Sequence, residues 1–249
     1  MTRGKATGSR RGPRRRTGKT GAGPAPDERK GPKKLRKKRT LSSQRWLERH
    51  LSDPYVAEAR RQGYRSRAAF KLIELDERYR LLKAGMRVVD LGAAPGGWTE
   101  VAVKRVRAGT ANGGNVLAVD KAPMDPIPGA RIIMADCLDE AVVERVKEEL
   151  NGLADLVLSD MAPATIGHAG ADHLRIMALA EAAFAFARAV LAPGGAFVCK
   201  VFQGGAEATL LHEIKKRFAG VHHAKPPASR PESAETYLVA TNFRGGARG

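Results

Sequence analysis

The chain is poor in cysteine and has no long apolar run. Cys137 and Cys199 are its only cysteines, and neither belongs to a CxxC or a mixed His/Cys cluster. This pattern predicts no structural zinc and fits a reduced, cytoplasmic compartment. No stretch of about 18 consecutive apolar residues occurs, so the sequence predicts no transmembrane helix.

Acidic residues are almost absent from the first 40 positions. Residues 1–40 hold 16 lysines and arginines against only Asp27 and Glu28, whereas the rest of the chain holds 28 basic and 24 acidic residues. The segment also lacks large apolar side chains, so it cannot bury enough surface to offset its ordering entropy, and we predict a disordered tail. A polyanion is its expected partner. A solubilising or non-specific role is the alternative.

The usual glycine signatures for dinucleotides and triphosphates are missing as well. In "VVDLGAAPGGW", Ala94 occupies the position where G-x-G-x-x-G requires its second glycine, and no Walker A loop follows a predicted strand. The stretch nevertheless has the pattern of a buried strand, a tight turn and a helix. A ligand other than a dinucleotide is therefore expected at this turn.

Short apolar segments rich in Val, Ile and Leu alternate with helical patterns after the tail. The predicted helices cover 43–61, 64–82 (capped by Ser66), 98–108, 139–151, 173–191 and 206–218, and the predicted strands 87–91, 115–120, 130–136, 154–160, 195–202 and 235–241. Such strands are typical of a parallel sheet covered on both faces. We predict a doubly wound α/β domain over 63–243, preceded by the tail (1–40) and a helical, RNA-contacting segment (41–62), and followed by a short tail (244–249).

Acidic residues follow the predicted strands at Asp120, Asp136 and Asp160. Ligands of open parallel sheets bind beyond the carboxyl ends of the strands. Carboxylates there suit ribose hydroxyls, an exocyclic amine and a positive charge, which S-adenosylmethionine combines, and they suit a polyphosphate badly. The alternative is that each Asp only caps a turn. The turn residues Asp90, Gly92 and Pro95 complete the part of the site that the pattern predicts.

One lysine, Lys200, interrupts the apolar strand "FVCKVF". Burying a lysine is costly unless it is paired or functional. Burial and a second nearby lysine lower a lysine's pKa and make it a usable base, while acidic neighbours oppose that shift. The alternative is an edge-strand lysine that extends to water.

The chain from about Ser66 to Thr241 resembles the FtsJ/RrmJ family of ribose 2′-O-methyltransferases, and especially its bacterial large-subunit ribosomal RNA enzymes. The resemblance rests on "YRSRAAFKL", "VVDLGAAPGGW", "VDKAPMDPIPG", "LSDMAP", "LAPGGAFVCKVFQG" and "ETYLVAT", which occur in the family's order. It implies a Rossmann-like methyltransferase fold for 63–243, with a mostly parallel seven-stranded sheet and helices on both faces.

The same resemblance implies the activity and its residues. The family's catalytic tetrad falls on Lys71, Asp160, Lys200 and Glu235, with Lys200 as the base. Contacts with S-adenosylmethionine, which is converted to S-adenosylhomocysteine, are implied for Gly96, Trp98, Asp120, Asp136 and Asp160. The implied substrate is a uridine ribose in the A-loop of 23S rRNA within the 50S subunit. A monomer that needs neither metal nor membrane is expected.

Some features leave the target open. Many family members have Asn after "SDMAP", where this chain has Ala164, so details of target recognition are in doubt while the reaction class is not. Methylation of tRNA or of another rRNA site is the nearest alternative. A non-catalytic RNA-binding assembly factor is the alternative from another class.

An arginine-rich stretch precedes Lys71. Arg60, Arg61, Arg65 and Arg67 surround Tyr64, and we expect this cluster to contact RNA, with the tyrosine stacking on a base. The alternative is a solvated helix face.

Overall fold

The computed structural model describes residues 53–163, 169–202 and 207–245. The predicted basic tail (1–40), most of the predicted RNA-contact segment (41–52), Ala164 and the C-terminal residues 246–249 lie outside the described residues. Within the three described ranges, no helix is both long and apolar enough to cross a bilayer.

Among the described residues, two short helices precede the sheet. Helix α1 (Pro54–Gln62) begins after Asp53, whose carboxylate accepts the amide of Tyr55, and ends at Gly63 in the left-handed conformation. Helix α2 (Ala68–Tyr79) is shorter than the predicted helix over 64–82. The predicted cap at Ser66 is wrong. Its hydroxyl packs against Gly97 and has no hydrogen-bond partner among the described residues.

The remaining elements alternate along the chain. They are β1 (Arg87–Leu91), α3 (Gly97–Val106), β2 (Asn115–Asp120), β3 (Ala130–Met134), α4 (Glu140–Leu150), β4 (Ala154–Ser159), α5 (Ala169–Val190), β5 (Leu191–Phe202), α6 (Glu207–Arg217), β6 (Phe218–Ala224) and β7 (Glu235–Phe243). All six predicted strands are present. Strand β3 ends two residues earlier than predicted, so Asp136 lies in the loop after it.

The strands form one sheet in the order β3-β2-β1-β4-β5-β7-β6. The first five are parallel, and β7 runs antiparallel to both β5 and β6. The seven-stranded, mostly parallel sheet is confirmed. The strand order reverses between β1 and β4, which is the point where open α/β sheets bind ligands.

Strand β6 was not predicted. Its sequence "FAGVHHA" buries only Phe218 and Ala224, because it lies at the edge of the sheet and pairs on one side only. The alternation or continuous apolar run that marks an internal strand is therefore missing from it.

Helices cover both faces of the sheet. The core beneath α4, α5 and α6 forms one layer, and the core beneath α2 and α3 forms the other. Side chains alternate between the faces along each strand. Four polar residues consequently lie on the α2/α3 face, near the carboxyl ends of the parallel strands: Asp90, Asp160, Lys200 and Tyr237.

Candidate active site

A tight turn joins β1 to α3. Gly92 and Gly96 have φ angles of 70° and 113°, which side-chain-bearing residues rarely adopt. A Cβ on Gly92 would also collide with the side chain of Met161. The Ala94 amide donates a hydrogen bond of 2.8 Å to the carboxylate of Asp120. The turn is thereby held against the end of β2.

A cavity of about 690 Å³ opens beyond the carboxyl ends of β1, β2 and β4. This volume falls within the usual range for small-molecule sites. Of the predicted cofactor residues, Gly92, Asp120, Asp136 and Asp160 line it, and apolar wall is supplied by Val119, Cys137, Leu138, Met161 and Leu179, among others. The wall thus combines carboxylates with apolar surface, as S-adenosylmethionine requires.

Two of these carboxylates also organise their own loops. Asp120 accepts the amides of Ala94 and Ala122, each at 2.8 Å. Asp136 accepts the Leu138 amide at 3.0 Å and pairs with Lys121 at 2.6 Å, and these two contacts, Lys121 first, lower the pKa of Asp136. An ionised carboxylate can accept about four hydrogen bonds. Capping a turn and binding a ligand are therefore compatible at both positions.

Four predicted cofactor residues lie off the cavity wall. The buried indole of Trp98 donates to the Ala68 carbonyl at 2.8 Å and packs against Tyr237. Pro95 lines a separate groove beside Arg65, and Gly96 is also close to Arg65. Asp90 is buried behind the glycine turn. Of the turn's predicted residues, only Gly92 lines the cavity.

Asp90 is almost fully buried, with 1% of its surface exposed. Its Oδ2 accepts the Thr99 hydroxyl at 2.6 Å. Burial raises its pKa to about 7, Thr99 opposes this shift, and the charges of Asp160 and Asp120 reinforce it. The side chain is poised between its neutral and its ionised form near neutral pH.

The four predicted catalytic residues form one buried network. Lys200 Nζ lies 2.8 Å from Asp160 Oδ1 and 3.7 Å from Glu235 Oε2, and it also donates to the Asp160 carbonyl at 2.9 Å. Lys71 Nζ lies 2.7 Å from Glu235 Oε1 and 4.0 Å from Asp160 Oδ1. Two ammonium groups and two carboxylates therefore alternate, and each charge has partners of the opposite sign.

This network changes the expectation for the proposed base. Burial lowers the pKa of Lys200, but the charges of Asp160 and Glu235 outweigh it, so the net shift is upward. The lowered pKa expected for Lys200 is therefore not found, because its acidic neighbours outweigh burial. Burial would raise the pKa of Glu235, yet Lys71 and Lys200 together hold it at about 2. Lys200 is thus protonated in the free protein near neutral pH.

Two further side chains complete the network, and neither was predicted from the sequence. The buried Tyr237 hydroxyl lies 2.7 Å from Asp160 Oδ1 and 3.1 Å from Glu235 Oε1. Ser229 donates to Glu235 Oε1 at 2.9 Å. Tyr237 was accessible to prediction, because it lies two residues after Glu235 on the same face of a strand. Ser229 lies in a loop whose sequence pattern carries no such signal.

The arginine-rich stretch before Lys71 is engaged largely within the protein. Arg65 donates to the carbonyls of Asp125 and Pro126, each at 2.7 Å, and pairs with Glu100. Arg67 pairs with Asp53 at 3.0 Å. Tyr64, expected to stack on RNA, packs against Phe70 and Lys104 instead. Arg60 remains exposed, and Arg61 is exposed but paired with Glu58.

Comparison with known proteins places the chain among methyltransferases. Residues 64–243 match the family model described as FtsJ-like methyltransferase. The protein named "Ribosomal RNA large subunit methyltransferase E" from Paramagnetospirillum magneticum is 59% identical over 91% of this chain and 94% of its own length. Its namesake from Rhodospirillum rubrum is 60% identical over 84% of this chain and 80% of its own length.

A solved structure shows the same architecture. The crystal structure of a ribosomal RNA methyltransferase from Plasmodium falciparum superposes with a TM-score of 0.66 at 35% identity. The match covers 74% of this chain and all of that chain.

Proposed function

Because the chain belongs to the FtsJ-like methyltransferase family, we propose that it methylates the 2′-hydroxyl of a uridine ribose in large-subunit ribosomal RNA. The expected target is the A-loop of 23S rRNA, and S-adenosylmethionine is the methyl donor. The observation that carries this proposal is the alternating Lys71–Glu235–Lys200–Asp160 network beside a cavity lined by carboxylates.

The cavity suits the proposed cofactor. Asp120 and Asp136 offer acceptors for the ribose hydroxyls and the adenine amine, and Asp160 adds negative charge at the network end of the cavity. Apolar side chains such as Leu138 and Leu179 offer surface for the adenine ring. S-adenosylmethionine supplies a methyl group on a sulfonium, which is a good leaving group, so the chemistry proposed here uses no metal.

Lys200 is proposed as the general base. It must first lose its own proton, and its neutral amine then accepts the proton of the 2′-hydroxyl. Asp160 and Glu235 hold this amine from two sides, and Lys71 keeps Glu235 ionised and in place. Positioning by this network supplies a large part of the proposed acceleration. The 2′-hydroxyl restricts the reaction to RNA.

The proposed roles of the domain and of the basic tail follow from the proposed RNA substrate. We propose that residues 63–243 form the methyltransferase domain, and that the basic tail over 1–40 adds affinity for rRNA without choosing the target. The assembled 50S subunit is the expected substrate, because it presents the loop in its folded shape. A monomer acting in the cytoplasm is expected.

The decisive experiment uses tritiated S-adenosylmethionine. The full chain is incubated with large subunits from a strain lacking its gene, with naked 23S rRNA and with tRNA, and the labelled nucleotide is mapped. Label on one A-loop uridine ribose is the expected result. Label on tRNA or at another rRNA site would keep the reaction and overturn the target. No label on any RNA, with cofactor binding intact, would overturn the enzyme assignment in favour of an assembly factor.

A further inference from the structure

Asp90 is a buried carboxyl that the proposed chemistry does not use. It lies on the sheet face that carries Asp160 and Lys200, one residue before the end of β1. Its Oδ2 accepts the Thr99 hydroxyl, whereas its Oδ1 has no hydrogen-bond partner among the described residues. An acceptor left without a partner in the interior is costly. A function at this position would account for its retention.

The surroundings of Asp90 are negative. Asp160 at the end of β4 and Asp120 at the end of β2 both act on it. The packed helix α3 contributes only the neutral Thr99. The cations on this face, Lys71 of α2 and Lys200 of β5, are paired with Asp160 and Glu235. In the described part of the chain no Lys or Arg forms an ion pair with Asp90. A positive charge that enters the cavity would therefore favour its ionised form.

The cavity is close enough for this effect. Gly92, two residues after Asp90, lines the cavity, and two residues of chain span at most roughly 7 Å. Gly92 has no side chain of its own, and the space that a Cβ would take there is filled by Met161, which also lines the cavity. Charges interact more strongly across a buried protein wall than across water.

We infer that Asp90 is a specificity-determining residue that lets the site prefer the cationic S-adenosylmethionine over its uncharged-sulfur product, S-adenosylhomocysteine. This inference rests on the proposed function. Ionised Asp90 attracts the sulfonium without touching it. Methyl transfer removes that positive charge, Asp90 takes up a proton again, and the product is held less tightly. Its pKa of about 7 in the free protein puts both forms within reach at neutral pH.

The test measures cofactor affinity by calorimetry for the full chain between pH 5.5 and 7.5. For the unmodified protein, a pKa shift of about one unit changes affinity by about tenfold over the whole titration, so the Kd of S-adenosylmethionine should tighten by roughly sixfold across this range. The Kd of S-adenosylhomocysteine should change far less. In Asp90→Asn, the pH dependence for S-adenosylmethionine should be lost and the preference over the product reduced by about tenfold. The amine of the ligand titrates in the same way with the unmodified protein and with the variant. The difference in pH dependence between the two proteins therefore reports on Asp90.

Thr99→Val supplies a second, independent variant. It keeps the side-chain shape and removes a hydroxyl that favours ionised Asp90. The pH midpoint of S-adenosylmethionine binding should therefore move upward. Equal weakening of both ligands in Asp90→Asn with the pH dependence retained, or an unmoved midpoint in Thr99→Val, would overturn the inference. A lack of cofactor binding by the unmodified protein would instead overturn the proposed function.

Discussion

The two halves of the site satisfy their charges in different ways. In the acceptor half, formed by Lys71, Asp160, Lys200 and Glu235, side chains pair with one another and remain only 7–17% exposed. In the cofactor half, formed by Gly92, Asp120 and Asp136, the carboxylates mostly accept hydrogen bonds from backbone amides. The one side-chain pair there, Lys121 with Asp136, is 67% and 39% exposed.

This difference separates two tasks. A buried network of opposite charges holds its geometry before the substrate arrives, since removing one member leaves an uncompensated buried charge. Half-buried carboxylates that are held by amides can exchange water for ligand hydroxyls without disturbing their neighbours. Substitutions in the acceptor half should therefore change kcat, and substitutions in the cofactor half should change the KM of the cofactor.

The largest effect is expected for Lys200→Met, which removes the proposed base and keeps much of the side chain's volume. General-base catalysis typically contributes about 10²–10⁴-fold, so kcat should fall by about a thousandfold. Cofactor affinity, measured by calorimetry, should stay within about threefold, because Lys200 does not line the cavity. Lys215→Met on the exposed face of α6 is the matched control. A kcat near that of the control would exclude Lys200 as the base.

The next effect is a dependence on pH. Since the pKa of Lys200 is raised above its ordinary value, only a small fraction of its amine is neutral near pH 7. That fraction grows about tenfold per pH unit below the pKa. Single-turnover rates should therefore rise with a slope close to one between pH 7 and 9. A plateau that begins below pH 8 would contradict a base with a raised pKa in the reacting complex.

The fold and the residues that form the acceptor half could be predicted from the sequence, but many contacts of the residues around them could not. Lys200 stood out because a lysine inside an apolar strand requires a partner, and the resemblance supplied Asp160 and Glu235. The internal contacts of Arg65 and Tyr64 were not predicted, for a physical reason. The carbonyl of Asp125, which Arg65 binds, lies 60 positions further along the chain, so local sequence showed only free positive charge.

The edge strand of the sheet and the glycine turn were also predicted incompletely. Strand β6 was missed because an edge strand buries few side chains. The motif around the glycine turn predicted a ligand site, and a cavity does open beside the turn, but the motif could not tell residues that line the cavity from those that lie behind its wall. Trp98 and Asp90 are buried behind the cavity wall, whereas Gly92 and Asp120 line it. Only tertiary packing decides between these two positions.

A smaller effect is expected in the cofactor half from Asp120→Ala. The change removes a cavity carboxylate and the acceptor for the Ala94 and Ala122 amides. The KM of S-adenosylmethionine should rise by about tenfold, the equivalent of one or two lost hydrogen bonds, while kcat changes little. Asp125→Ala, on the same loop but exposed, is the matched control. A fall in kcat at unchanged KM would break the division between the two halves.

The smallest effect is expected for Tyr237→Phe, in the acceptor half. The single hydroxyl proton of Tyr237 is shared between Asp160 at 2.7 Å and Glu235 at 3.1 Å. Both carboxylates keep their lysine partners without it, so kcat at pH 7 should fall only by about threefold, less than the full worth of a hydrogen bond to an otherwise unpaired carboxylate. Tyr79→Phe on α2 is the matched control.

The direction of the pH effect separates electrostatics from packing in this variant. Carboxylates that lose a hydrogen-bond donor hold their lysines' protons more firmly, so the pKa of Lys200 should rise further. Because the neutral fraction of Lys200 grows equally in both proteins well below its raised pKa, the deficit of Tyr237→Phe should stay constant from pH 7 to 9 and shrink only as the pH approaches that pKa. A deficit that stays the same even as the pH approaches the pKa of Lys200 would show that the ring's packing, and not its hydroxyl, supports the network.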